Sequence, residues 1–330
     1  MPVSKETLGF WLKSISNIHT VGTKKDIFLF ATPRGGSTWL MEIIASQPGM
    51  KYYDEPLNIR RHNVRKTMKF NNWNELMPDQ HREQEIIQYL QDIKNGKFRF
   101  MNPPPLRKNY RLFTDRIVFK IHELEHMIND IRNTCDAYIL YLLRHPIPTT
   151  LSRAVFPRLE YFLKSNYYRE NFLNNGQFKA IKEICEKGDH FQKGIVSWCF
   201  ENIAPLQTTD NKDWLFISYE ELLLNSEKCC HTLAEALQLD RPDKMLEALN
   251  APSANIAMSK KDTLKILQDT DEKRRKSNLV TKWKSKVTEQ QEREAFNILD
   301  LFNIDAYSSG SFIADSKYLH HSDTKSNLSM

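Results

Sequence analysis

Residues 27–40 read IFLFATPRGGSTWL, and this stretch decides the fold. Four apolar residues without polar alternation read as a strand buried on both faces. The turn that follows holds Gly35 and Gly36, and Ser37 opens a helical pattern, STWLMEIIAS. A glycine turn between strand and helix aims several backbone N–H groups at one point, where the helix dipole adds partial positive charge. Gly35, Gly36, Ser37 and Thr38 are therefore expected to cradle an anion. The common nucleotide triphosphatase loop requires a lysine before its final Ser or Thr. Here Gly36 precedes Ser37, so magnesium–triphosphate chemistry is poorly matched, and the positive charge comes earlier, from Arg34.

Three more apolar runs lie downstream: RIVFKI (116–121), AYILYLL (137–143) and WLFIS (214–218). Each is followed by helical patterning, in ELEHMINDI, PTTLSRAVF and YEELLLNSEKCCHTLAEALQL respectively. Strand alternating with helix predicts an α/β fold, a three-layer sandwich whose central parallel sheet is covered on both faces. Ligands in such sheets lie beyond the carboxyl ends of the strands, where the glycine turn falls. A helical insertion is expected at 55–113, with REQEIIQYLQDIKNG as its best helix and the rigid NPPP (102–105) near its end. Its size after the first strand–helix unit suits a lid or part of an acceptor pocket. No linker divides the chain, which predicts a single domain over 1–307 and a polar, flexible tail over 308–330.

The 330 residues are 40% hydrophobic and 27% charged with a formal net charge of +6, which suits a globular enzyme with anionic partners. The basic stretches IRRHNVRK (59–66), KRRK (273–276) and KWKSK (282–286) are separate. They read as solvated surface rather than as a nucleic-acid interface. Five cysteines without a C-x-x-C pair fit reduced, buried thiols in a cytoplasmic protein. No apolar stretch is long enough to span a bilayer, so no stable membrane anchoring is expected.

The loop TPRGGSTWL resembles the donor-binding loop of sulfotransferases that use 3′-phosphoadenosine 5′-phosphosulfate (PAPS). In that family an arginine ending a later strand and a serine eight residues on clamp the donor's 3′-phosphate. YLLRHPIPTTLSR supplies Arg144 and Ser152 at that spacing, and a guanidinium fork is suited to bidentate phosphate binding. RIVFKIHELEHM resembles the family's lysine–threonine–histidine segment, with Ile121 in place of threonine, and puts Lys120 and His122 at a strand end. A neutral histidine can take a proton from an acceptor hydroxyl. Lys120 and Arg34 can stabilise charge on the departing nucleotide. SNLVTKWK after KRRK is similar to a late donor-binding stretch, without its glycines, and brings in Arg275 and Lys276.

The resemblance implies a P-loop-NTPase-like fold, PAPS as co-substrate, adenine stacking on Trp39, a small-molecule or glycan acceptor, and no required metal. YYDEPLN (52–58) looks like the acidic–proline segment of carbohydrate-type and bacterial members, so Glu55 competes with His122 as the base. A salt bridge from Glu55 to Arg60 or Arg61 is the structural alternative. Two other functions stay open. His122-Glu123-Leu124-Glu125-His126 matches the zinc metalloprotease pattern H-E-x-x-H, although the strand running into His122 and the missing G-x-x-H continuation oppose it. A nucleotide-binding regulatory protein without turnover is the other, opposed by the presence of Arg34, Lys120 and His122 together.

Overall fold

The computed structural model describes residues 17–98, 110–208, 213–249 and 271–319, the side chains at 62–63 and 272–275 excepted. Its strands are β1 (Ile18–His19), β2 (Ile27–Ala31), β3 (Met50–Asp54), β4 (Phe113–Thr114), β5 (Arg116–Ile121), β6 (Tyr138–Leu143) and β7 (Trp214–Ser218). Five of them form one sheet in the order β3–β5–β2–β6–β7, every pair parallel. The remaining two make a parallel ribbon, Ile18 opposite Phe113. All four apolar runs are strands, as their patterning requires. β3 is a fifth, hidden in MKYYD by its lysine and aspartate, and it pairs with β5 alone at the sheet edge.

Alternation along the strands divides the core in two. Phe28, Phe30, Phe119, Ile121, Ile139 and Tyr141 face one cluster, which the helices Glu83–Lys94, Ile128–Cys135, His190–Gln207 and Glu289–Leu301 complete. Ile27, Leu29, Val118, Leu140, Leu142 and Leu215 face the other, under the helices Ser37–Ile44, Ser226–Ala236 and Pro242–Leu249. The molecule is therefore a helix–sheet–helix sandwich. β2 lies at the centre, and the chain runs to its two sides in turn, which makes its carboxyl end the switch point where a ligand crevice opens.

Two local expectations change. The helix after β5 starts at Ile128, and residues 122–127 form turns with Leu124 at φ 66°. The cause is non-local, because Glu125 is drawn inward to Arg158. The polar tail expected from 308 packs back on the body through residue 319. Ala314 is buried, Phe312 meets Trp283 edge-on at 5.9 Å, and Tyr318 donates to Asp305 at 2.6 Å. A few apolar residues among the serines are enough to dock it. NPPP (102–105) and residues 320–330 lie outside the described residues.

Candidate active site

Pairing of β2 with β5 and β6 brings Ala31, Ile121 and Leu143 to one edge of the sheet. The turn 32–36 closes there through Gly35 N–H donating to the Thr32 carbonyl at 2.8 Å. Gly36 caps the helix Ser37–Ile44 at φ 95°, a left-handed conformation that glycine adopts at least cost. Space also demands glycine. A Cβ on Gly36 would lie 2.4 Å from the Tyr219 ring, and one on Gly35 would lie 2.8 Å from the Thr32 carbonyl oxygen. The cradle thus has the stripped backbone and helix start that an oxyanion needs. Beneath it, Asn202 donates to Thr32 Oγ1 at 3.0 Å and accepts from the Tyr141 hydroxyl at 2.9 Å, tying the loop to the helix His190–Gln207 and to β6.

Lys120 reaches the cradle from β5. It lies opposite Asp54 in the register, and its side chain is 3% exposed. Its ammonium meets Asp54 Oδ1 at 2.5 Å, Glu55 Oε1 at 3.0 Å and Thr38 Oγ1 at 3.1 Å. Asn58 donates to the other Glu55 oxygen at 2.6 Å. Burial pushes the Glu55 carboxyl up, but Lys120 and Asn58 outweigh it and hold the group below its ordinary range. The arginine partner considered for Glu55 goes to its neighbour instead, since Arg61 bonds the Asp54 carboxylate at 3.2 Å and also its carbonyl.

Two residues beyond Lys120, His122 puts Nε2 3.0 Å from Ser37 Oγ, at the first residue of the cradle helix. Burial, seconded by the Lys120 charge, holds the imidazole well below its ordinary pKa, so it stays neutral. In the tautomer protonated at Nδ1, Nε2 would accept from the Ser37 hydroxyl at the cradle.

Arg144 ends β6 and donates to the Arg34 carbonyl at 2.7 Å, with its guanidinium 4.1 Å from the Tyr219 ring centroid. Its Nε is buried without a partner, an orphan donor of the kind an anion satisfies. Behind it, His145 stacks on Trp283 at 4.6 Å and donates its backbone N–H to Glu220 at 3.1 Å. Trp283, in the stretch SNLVTKWK, thus packs against the residue that follows Arg144.

The structure brings Arg34, Gly35, Gly36, Ser37, Thr38, Glu55, Lys120, His122 and Arg144 to one edge of the sheet. Trp39 lies on the same helix start, edge-on to Tyr219 at 6.0 Å. Ser152 is placed differently: it caps the helix Pro146–Leu151 and its hydroxyl donates back to Thr149 at 2.8 Å. Lys276 is half-buried on the helix Glu272–Thr281, and the side chain of Arg275 lies outside the described residues. The metalloprotease pattern fails on geometry, because 122–126 is not helical and its two histidines diverge. His122 goes to Ser37, whereas His126 packs 5.9 Å from the Tyr167 ring. Pattern reading omits Tyr219, the Asp54–Lys120 pair and Arg158. The first follows directly on WLFIS, and its position at a strand's carboxyl end was a usable signal.

Among the described residues no helix is long and apolar enough to cross a membrane. A family model described as a sulfotransferase domain matches residues 24–301. No curated protein matches the sequence. Solved structures similar to the chain include mouse sulfotransferase SULT7A1 complexed with PAP, at 17% identity and TM-score 0.45, covering 91% of this chain and 90% of that one. The sulfotransferase domain of the Synechococcus PCC 7002 olefin synthase is similar at 15% identity and TM-score 0.42, covering 88% and 99%. A sulfotransferase domain from the curacin biosynthetic pathway is similar at 13% identity and TM-score 0.39, covering 85% and 98%.

Proposed function

The chain belongs to the sulfotransferase family, and from that premise we propose that it moves a sulfuryl group from PAPS to a hydroxyl or amine acceptor, with His122 as the base. The observation that carries this reading is the 3.0 Å contact between His122 Nε2 and Ser37 Oγ. It puts a nitrogen of a neutral imidazole beside the only glycine-cut helix start at this edge of the described sheet.

PAPS supplies the activated sulfuryl group and leaves as the 3′,5′-bisphosphate. The N–H groups of residues 35–38 hold its 5′ end, Arg34 adds positive charge at the mouth, and Trp39 offers a ring for the adenine. Arg144, with its orphan Nε, binds the 3′-phosphate. Ser152 joins it by rotating its hydroxyl away from Thr149, and Arg275 and Lys276 close the same side. Lys120 offsets charge on the departing oxygen by releasing one of its carboxylate partners. Positioning and charge neutralisation supply most of the rate, as in phosphoryl transfer.

His122 is favoured over Glu55 because both Glu55 oxygens are engaged, by Lys120 and Asn58, whereas the His122 ring nitrogen lies against Ser37 at the start of the cradle helix. The acceptor is a small molecule or a glycan, and the protein works in the cytoplasm as one domain that takes in the packed segment through residue 319. With labelled PAPS and a panel of hydroxyl and amine acceptors, His122→Ala is expected to lower turnover by roughly 10²-fold or more, the scale of general base catalysis. Its affinity for adenosine 3′,5′-bisphosphate should change little. Loss of turnover in Glu55→Gln with full activity in His122→Ala would reassign the base.

A further inference from the structure

His122 is held by its backbone as well as by its ring. Its N–H donates to Glu123 Oε2 at 3.2 Å, and its carbonyl accepts from Arg158 Nη2 at 2.7 Å. Arg158 also grips Glu125 with both arms, at 2.9 and 2.6 Å, and lies 3.6 Å from Glu201. Glu201 in turn takes two bonds from Arg153, both at 2.8 Å, and one from Ser197 at 3.2 Å. All of these charged side chains are buried.

Such a network is weak evidence for stability, since apolar residues of the same volume commonly serve a core as well or better. What it does here is local. The segment 122–127 crosses from β5 to the helix Ile128–Cys135 through Leu124, buried at φ 66°, a conformation a leucine keeps only where its surroundings over-determine it. The guanidinium supplies that constraint, because it binds the carbonyl at one end of the turn and the side chain of residue 125 at the other.

We propose that Arg158 is a positioning residue: anchored on Glu125 and Glu201, it clamps the turn 122–125 so that the His122 imidazole faces Ser37 at the cradle. The clamp matters for turnover only if His122 is the base, so it rests on that reading. Arg158 and Glu125 are buried, and their role in turnover runs through His122.

Two-bond proton–nitrogen spectra of the full chain with ¹⁵N-labelled histidine read the tautomer of each ring, and His122→Ala identifies its signal. The wild-type protein should show His122 as one neutral tautomer, protonated at Nδ1, between pH 6 and 8. In Arg158→Met with Glu125→Leu, which removes both charges and keeps the volume, the His122 signals should shift and report mixed tautomers. The histidines outside the turn 122–127 should keep their signals, and the affinity for adenosine 3′,5′-bisphosphate should stay within twofold. Glu125→Gln, a milder change, should shift the same signals less. Unmoved His122 resonances in either folded variant overturn the clamp. Full turnover in His122→Ala overturns the base reading instead, and the spectra tell the two failures apart.

Discussion

Lys120 donates to Glu55 and Thr38 and lies 2.5 Å from Asp54 Oδ1 as an ion pair, so in the free protein its ammonium is fixed among three oxygens. An anion entering the cradle therefore meets a lysine already oriented, one exchange away from engaging it. Gly36 makes a sharper demand. At φ 95° and with the Tyr219 ring 2.4 Å from where a Cβ would lie, Gly36→Ala combines backbone strain with a clash, and we expect affinity for adenosine 3′,5′-bisphosphate to fall at least tenfold in calorimetry while the sheet stays folded. Wild-type affinity in that variant would show that the loop does not hold the anion. Glu123 sets a pH dependence. Burial, opposed by Arg158, raises its carboxyl to about 7 from 4.5. The folded state thus binds this proton more tightly than the unfolded one, so the contribution to stability is full below pH 4.5 and is lost as pH rises through 7. Glu123→Gln removes that loss and keeps an acceptor for the His122 N–H. Relative to wild type it should gain up to roughly 3 kcal/mol between pH 5 and pH 8 in denaturant unfolding. A difference independent of pH would contradict the assignment.

Elements were legible where their residues repeat and hidden where a distant partner decides. IFLF, RIVFKI, YILYLL and WLFIS declare themselves because a strand covered by helices on both faces needs uninterrupted apolar side chains. MKYYD does not, because Lys51 and Asp54 break the run, and their partners are distant, Lys120 on β5 for Asp54 and Asn17 for Lys51. The site motifs were legible in the same degree: loop, lysine, histidine and arginine each end a strand, whereas Arg158 is 36 residues from His122 in sequence and no local pattern connects them. The C-terminal segment is the clearest case of missed packing. Residues 308–319 look like solvated tail, yet Phe312 and Tyr318 pack on the core, and Phe312 covers Trp283 beside His145. Ending the chain after Tyr307 should lower the melting temperature by several degrees, since uncovering one or two partly buried aromatics costs on the order of 1–3 kcal/mol. An unchanged melting temperature would return the segment to the status of a free tail.

At the scale of the whole molecule, a parallel sheet with β2 at its centre collects five loop ends at one edge, and the sulfotransferase assignment reads that edge as a nucleotide-donor site. Under the proposed function the donor's two phosphate ends lie apart on it, one at the helix start 35–38 and the other at Arg144, whose guanidinium lies over the Tyr219 ring and donates to the Arg34 carbonyl. This arrangement makes a claim about ligand chemistry that needs no knowledge of the acceptor. The measurement that tests it most directly is calorimetric titration of the full chain with adenosine 3′,5′-bisphosphate and with 5′-AMP, in wild type and in Arg144→Ala. We predict micromolar or tighter binding that requires the 3′-phosphate, and a loss of roughly 1.5–3 kcal/mol in the variant, the value of a charged hydrogen bond. Equal binding of the two nucleotides, or an Arg144→Ala protein that binds the bisphosphate as wild type does, would contradict the donor site at its centre.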